Sequence, residues 1–107
     1  MEYWNGRCPF SGIDQPELLR ASHIKPWAEC ESDVERLDLH NGLLLAAHLD
    51  AAFDAHLISV SDEGRIIISP RLKPAAREAL NLECLPLLTS LRPEHRGYLA
   101  VHRRSLV

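Results

Sequence analysis

Four side chains in the first half of the chain could work together on a phosphodiester: His23, Asn41, Asp50 and Asp54. An imidazole titrates near neutrality, so it can take a proton from water without being blocked. A carboxamide holds a neighbour by hydrogen bonds at any pH, because it does not titrate. Asp50 and Asp54 lie four residues apart, which puts both carboxylates on one face of a helix, where they can converge on one cation. A phosphodiester resists attack because its own charge repels the nucleophile. Cutting it takes a base for the water and a cation for the charge on the departing oxygen. Singly, each residue is ordinary. A lone histidine is usually a surface or packed residue, Asn41-Gly42 is a turn, and paired aspartates are a solvated helix face. Their joint spacing gives the combination its meaning.

Extended backbone must carry His23. Pro26 pushes Lys25 out of helical geometry, so residues 21–27 are expected as a short strand or extended segment beside a turn. Residues 14–20 read as a helical turn capped by Asp14, with Pro16 in the first turn and Leu18 and Leu19 facing inward. Residues 28–39 hold five acids and read as a solvated connection in which Ser32 can cap a short helix. After Asn41-Gly42, Leu43-Leu44-Leu45 should form the second strand of a small hairpin-like unit. A helix over 48–56 should follow, with Leu49, Ala52 and Phe53 on its buried side. Residues 57–60 and 65–69, around a glycine-containing loop, predict a β-hairpin. Pro74 opens a helix over about 75–81. Residues 82–92 look irregular, with Leu85, Leu87, Leu88 and Leu91 packing inward. Pro93 opens a last helix, about 94–105, with Leu99 and Val101 partly buried and His102, Arg103 and Arg104 at its negative end.

A length of 107 residues allows one domain, taken as 1–107. At 46% hydrophobic and 6% aromatic, it can build a small core filled mainly by aliphatic side chains. The net charge of −3, from 12 basic and 15 acidic residues, does not suit a protein that holds nucleic acid by bulk electrostatics. Basic side chains would have to gather on one face, or another domain would have to supply affinity. The three cysteines, Cys8, Cys30 and Cys84, match neither a disulfide framework nor a paired zinc knuckle. They read as small hydrophobes, reduced in a cytoplasmic protein. There is no signal peptide and no apolar run of transmembrane length. Tyr3, Trp4 and Phe10 come so early that the domain is expected to be cut from a longer protein, with Trp4 and Phe10 anchoring the N-terminal segment on the core.

Three blocks stand in order: Ala21-Ser22-His23-Ile24-Lys25-Pro26-Trp27, Asn41-Gly42-Leu43-Leu44-Leu45 and Asp50-Ala51-Ala52-Phe53-Asp54. With these intervals the chain resembles the HNH endonuclease family, most of all the branch with A-[AS]-H-I-x-P-W, then N-G-L-x-L, then [HD]-x-x-F-D, often found in restriction endonucleases. The resemblance implies an α+β fold with a ββα-metal core, two short strands and a helix gripping one divalent ion, extended here by a β-hairpin and C-terminal helices. It implies that His23 is the general base and that Asn41 orients the histidine loop or the ring itself. It implies metal ligands at Asp50, Asp54 and Ser22, positions held by histidines in colicin-type members. Oxygen ligands favour Mg²⁺ or Mn²⁺, with Zn²⁺ or Ni²⁺ as further candidates, and Ser22, a poor ligand, leaves a wetter shell. His48 lies about 200° from Asp50 on an ideal helix. It is therefore a cap or phosphate contact first, and a ligand only if the helix begins after it. Lys25, Arg20 and Arg65, then Arg71, Lys73, Arg103 and Arg104, are the cations for DNA phosphates. Trp27 and Phe53 are taken as core anchors around the site, and His40, His56, His95 and His102 receive no role.

The implied function is a metal-dependent DNA endonuclease in a restriction or defence context, with specificity supplied by an additional domain. One alternative is a nuclease-derived module that docks DNA or a protein partner without cutting, which Ser22 and the acidic balance favour. Another is a structural zinc domain using Cys8 with histidines, against which the lack of paired cysteines argues.

Overall fold

The β-strand that ends on His23 fixes the rest of the architecture. In the computed structural model, which describes residues 2–86 and 91–106, Leu19–His23 (β1) pairs antiparallel with Gly42–Ala46 (β2). The register sets His23 opposite Gly42, Ala21 opposite Leu44 and Leu19 opposite Ala46. Leu43 and Leu45 on one face of β2, and Leu44 and Ala46 on the other, are all buried. That explains why β2 reads as a continuous apolar run rather than an alternating one. Between the strands the chain arches through a 3₁₀ turn at Trp27–Glu29, a short helix at Asp33–Leu37 (α1) and a second 3₁₀ turn at Leu39–Asn41. Ser32 caps α1 as expected, its Oγ accepting the Glu35 N–H at 3.3 Å.

β2 runs without a break into Ala47–Asp54 (α2), which packs on both strands and buries Leu49, Ala52 and Phe53. The expected hairpin follows: Ile58–Val60 (β3) pairs antiparallel with Ile66–Ile68 (β4) in a separate sheet. Pro74–Ala79 (α3), a 3₁₀ turn at Leu82–Cys84 within the stretch expected to be irregular, and Pro93–Arg103 (α4) follow. α4 lies against β3 and against the Leu39–Asn41 turn, with His95, Leu99 and His102 on its buried side. Trp4 and Phe10 anchor the N-terminal segment in the core, and the Trp4 indole N–H donates to the Gly42 carbonyl at 3.2 Å. No helix among the described residues is long and apolar enough to cross a membrane.

The structure corrects several local expectations. The turn before β1 is only Pro16–Leu18, preceded by Gln15 without a side-chain cap. Asp14 instead meets Arg7 at 3.5 Å, and Leu18 is exposed. β1 starts at Leu19 because its pairing follows the apolar length of β2 as far as Ala46. α3 stops early, since Asn81 takes a left-handed φ of 55° that ends the helix. Phe53 is a core residue as expected, but Trp27 is 55% exposed: the turn after Pro26 throws its ring outward, over His23. Leu85 and Leu91 pack against the core; Leu87, Leu88 and the Cys84 side chain lie outside the described residues.

Candidate active site

His23 closes β1 with its ring half buried. Its Nε2 lies 3.0 Å from the carbonyl oxygen of Arg36, at the end of the arch. A carbonyl only accepts, so Nε2 is the donating nitrogen, and in the neutral ring the lone pair then lies on Nδ1. The Trp27 ring meets the imidazole nearly at right angles, centres 5.3 Å apart. The Arg36 guanidinium sits 5.5 Å from the Trp27 ring centre.

Asn41 is 1% exposed and spends its amide on the loop after His23. Its Oδ1 accepts the Lys25 N–H at 2.7 Å. Its Nδ2 donates to the carbonyls of Lys25 at 3.3 Å and Glu35 at 3.1 Å, and reaches Cys30 Sγ at 3.6 Å. The Asn41 carbonyl also takes the Ile24 N–H. Of the two arrangements open from sequence, holding the loop or holding the ring, these contacts are those of a loop clamp. A buried amide with this many partners is satisfied almost completely, which fixes its position.

Lys25 grips both Glu35 oxygens, at 3.0 and 3.1 Å, with both side chains largely covered. The hydrogen bond to Glu35 pushes the Lys25 pKa up. Glu35 is held below the ordinary carboxylate range, first by the Glu31 N–H and then by Lys25. The ammonium charge is therefore met within the fold, and the acidic stretch serves as a scaffold as well as a wet surface. Asp38 is pushed up by burial, but donors from the His40 N–H and the Tyr98 hydroxyl outweigh that and lower it. Tyr98, burial and the Asp38 carboxylate acting together, is pushed up to about 12; the pair is 2.8 Å apart and ties α4 to the arch. Arg20 is exposed on β1, and its Nη1 donates to the Glu17 and Leu19 carbonyls at 3.1 and 2.8 Å, contacts that leave its charge unneutralised. Arg65 is exposed in the loop just before β4.

On α2, Asp50 is partly exposed and Asp54 exposed, one helical turn apart. Ser22 is buried and adjoins His23 in a strand, so the pleat sends the two side chains to opposite faces. α2 begins at Ala47 with Ala46 as a cap lacking any side-chain bond. His48 therefore lies inside the first turn, exposed, turned well away from Asp50 and capping nothing. Among the described residues no group of three or more His, Cys, Asp or Glu is placed to hold a metal ion. Two carboxylates fit a hard cation such as Mg²⁺, which keeps waters and binds phosphate oxygens. They do not make the three- or four-ligand protein cage typical of Zn²⁺. Cys8 is buried, with its Sγ accepting the Ser11 N–H at 3.5 Å.

Sequence reasoning gave the supporting histidines no role. His102 donates from Nε2 to the Phe53 carbonyl at 2.8 Å and accepts at Nδ1 from the Ser59 hydroxyl at 2.7 Å. Its ring stacks on Phe53, 3.8 Å away and 5° from parallel. Burial pushes its pKa down to about 4. His95 Nδ1 accepts the Arg92 N–H at 2.9 Å at the start of α4. A signal was present: positions 95, 99 and 102 share one helical face. Glu35 and Arg36 carried no such signal, since a charged run ordinarily means solvated surface.

Residues 8–61, just over half of the chain, match the family model for HNH endonuclease. No curated protein matches the chain.

Proposed function

The chain belongs to the HNH endonuclease family, and from that premise we propose that it hydrolyses DNA phosphodiester bonds with His23 as general base. One observation carries this reading. The Arg36 carbonyl occupies Nε2, so the ring has its proton on the tied nitrogen and its lone pair on the other. Nδ1 then takes the proton of the attacking water. β1, β2 and α2 serve as the ββα-metal core, and Asn41 keeps the histidine loop closed on the arch. Asp50 and Asp54 would hold one Mg²⁺ or Mn²⁺, which when bound supplies positive charge to the departing oxygen. Arg20 is the better phosphate contact, because Lys25 already has a carboxylate partner. A restriction or defence setting, with a further domain choosing the target, completes the proposal.

The test is nicking of supercoiled plasmid in Mg²⁺ or Mn²⁺. His23→Ala should lose activity by at least about a hundredfold, in line with the loss of a general base, while its melting temperature stays close to the parent's. Full activity in that variant removes His23 from the mechanism. The neutralised Lys25 and the inward Ser22 favour a second reading, a module that docks DNA without cutting. It predicts metal-independent binding and no nicks in the parent protein.

A further inference from the structure

Trp27 is a large aromatic ring spent outside the core, and the core does not explain its place. Its contacts form a closed circuit around His23. The His23 ring meets the Trp27 ring at 5.3 Å. Trp27 carries the Arg36 guanidinium over its face. Arg36 returns to His23 through its own carbonyl, 3.0 Å from Nε2. The guanidinium is itself pinned: Nη2 donates to the Cys30 carbonyl at 3.0 Å, Nε to the Trp27 carbonyl at 3.4 Å, and Nη1 to Asp33 at 3.1 Å. One residue thus touches the imidazole by two routes, through its main chain at the ring nitrogen and through the Trp27 ring at the side.

We propose that Trp27 and Arg36 are positioning residues that clasp the His23 imidazole, the carbonyl fixing the protonated nitrogen and the indole fixing the ring's rotation. The inference rests on His23 being the general base, and goes beyond it by naming what aims it. A histidine ring turns about two bonds, and a hydrogen bond at one nitrogen restrains direction but leaves rocking. An aromatic wall at right angles removes that freedom, and the guanidinium fork holds the wall. Asn41 and the Lys25–Glu35 pair brace the same loop from the backbone side, so the clasp acts on the ring rather than on the fold.

The test compares the full chain with Trp27→Leu, Trp27→Phe and Arg36→Ala. Trp27→Leu leaves every loop hydrogen bond of Arg36 and the main chain available, so it removes the wall without dismantling the arch. The first readout is the His23 Nε2–H resonance in nitrogen-15 spectra, visible only while that proton is shielded from exchange, and it needs no activity. The second is plasmid nicking, resolved into kcat and KM. Trp27→Leu and Arg36→Ala should keep the far-ultraviolet circular dichroism of the parent, lose the Nε2–H signal and lower kcat about tenfold to a hundredfold at nearly constant KM, the scale of a small misplacement of a reacting group. Trp27→Phe should recover much of both. An Nε2–H signal retained in both disruptive variants overturns the clasp, and loss in only one overturns the joint action. If the parent cuts nothing, the nuclease reading falls while the resonance still decides the clasp.

Discussion

At the scale of single residues, the site is a division of labour between a side chain with a free lone pair and side chains with none left over. His23 keeps Nδ1 available because a carbonyl holds Nε2. Asn41 is the opposite case, its amide consumed by the loop. Asn41→Ala should therefore act through the fold. It strands the Lys25 N–H and two carbonyls, for a loss of about 2–3 kcal/mol, read as a fall in the urea midpoint at unchanged slope. Asp50 makes no such contribution, so Asp50→Ala should leave the urea midpoint in place while, on the proposal that Asp50 and Asp54 hold the ion, weakening Mn²⁺ binding at least about tenfold in calorimetry. An unchanged isotherm would move the ion elsewhere.

At the scale of elements, α4 is the brace behind the site. His102 crosses from it to the Phe53 carbonyl in α2 and to Ser59 in β3, and Tyr98 crosses to Asp38 in the arch. The His102 imidazole must be neutral to accept from Ser59 while donating to Phe53. Its pKa is lowered from 6.5 to about 4, so the unfolded chain binds a proton across that interval and the folded chain does not. Stability is then full above about pH 6.5, falls as pH drops through this window and levels off near pH 4. The loss should be roughly 2–4 kcal/mol, and His95, also lowered by burial, adds in the same direction. Urea melts between pH 7 and pH 4.5 measure it. His102→Gln keeps a donor for Phe53 but cannot titrate, so its slope over that range should be visibly smaller.

At the scale of the whole molecule, the charge balance of −3 sets how the domain meets DNA. Arg7, Lys25, Arg36, Arg77 and Arg103 are ion-paired within the fold, and over the chain 15 acids face 12 bases, so the field that draws in a phosphate backbone is weak. DNA affinity measured by anisotropy should be weak, and log K against log salt should have a slope no steeper than about −3, as for three or fewer neutralised phosphates. A slope near −8 would reveal a basic face that the composition conceals.

The linear order of residues alone determined the strand–arch–strand–helix sequence and the β3–β4 hairpin, and it singled out His23, Asn41, Asp50 and Asp54 as candidates. Those follow from local rules: proline and glycine geometry, apolar periodicity, and intervals between side chains of known chemistry. Which side chains of the arch and of α4 meet was decided only in three dimensions. That Lys25 answers Glu35, that Arg36 offers His23 its carbonyl, that Trp27 leans out over the imidazole and that His102 reaches Phe53 depend on how the arch and α4 come back onto the β1–β2–α2 unit. No local pattern encodes such meetings, because a charged or aromatic side chain looks the same in sequence whether it ends in water or against a partner forty residues away.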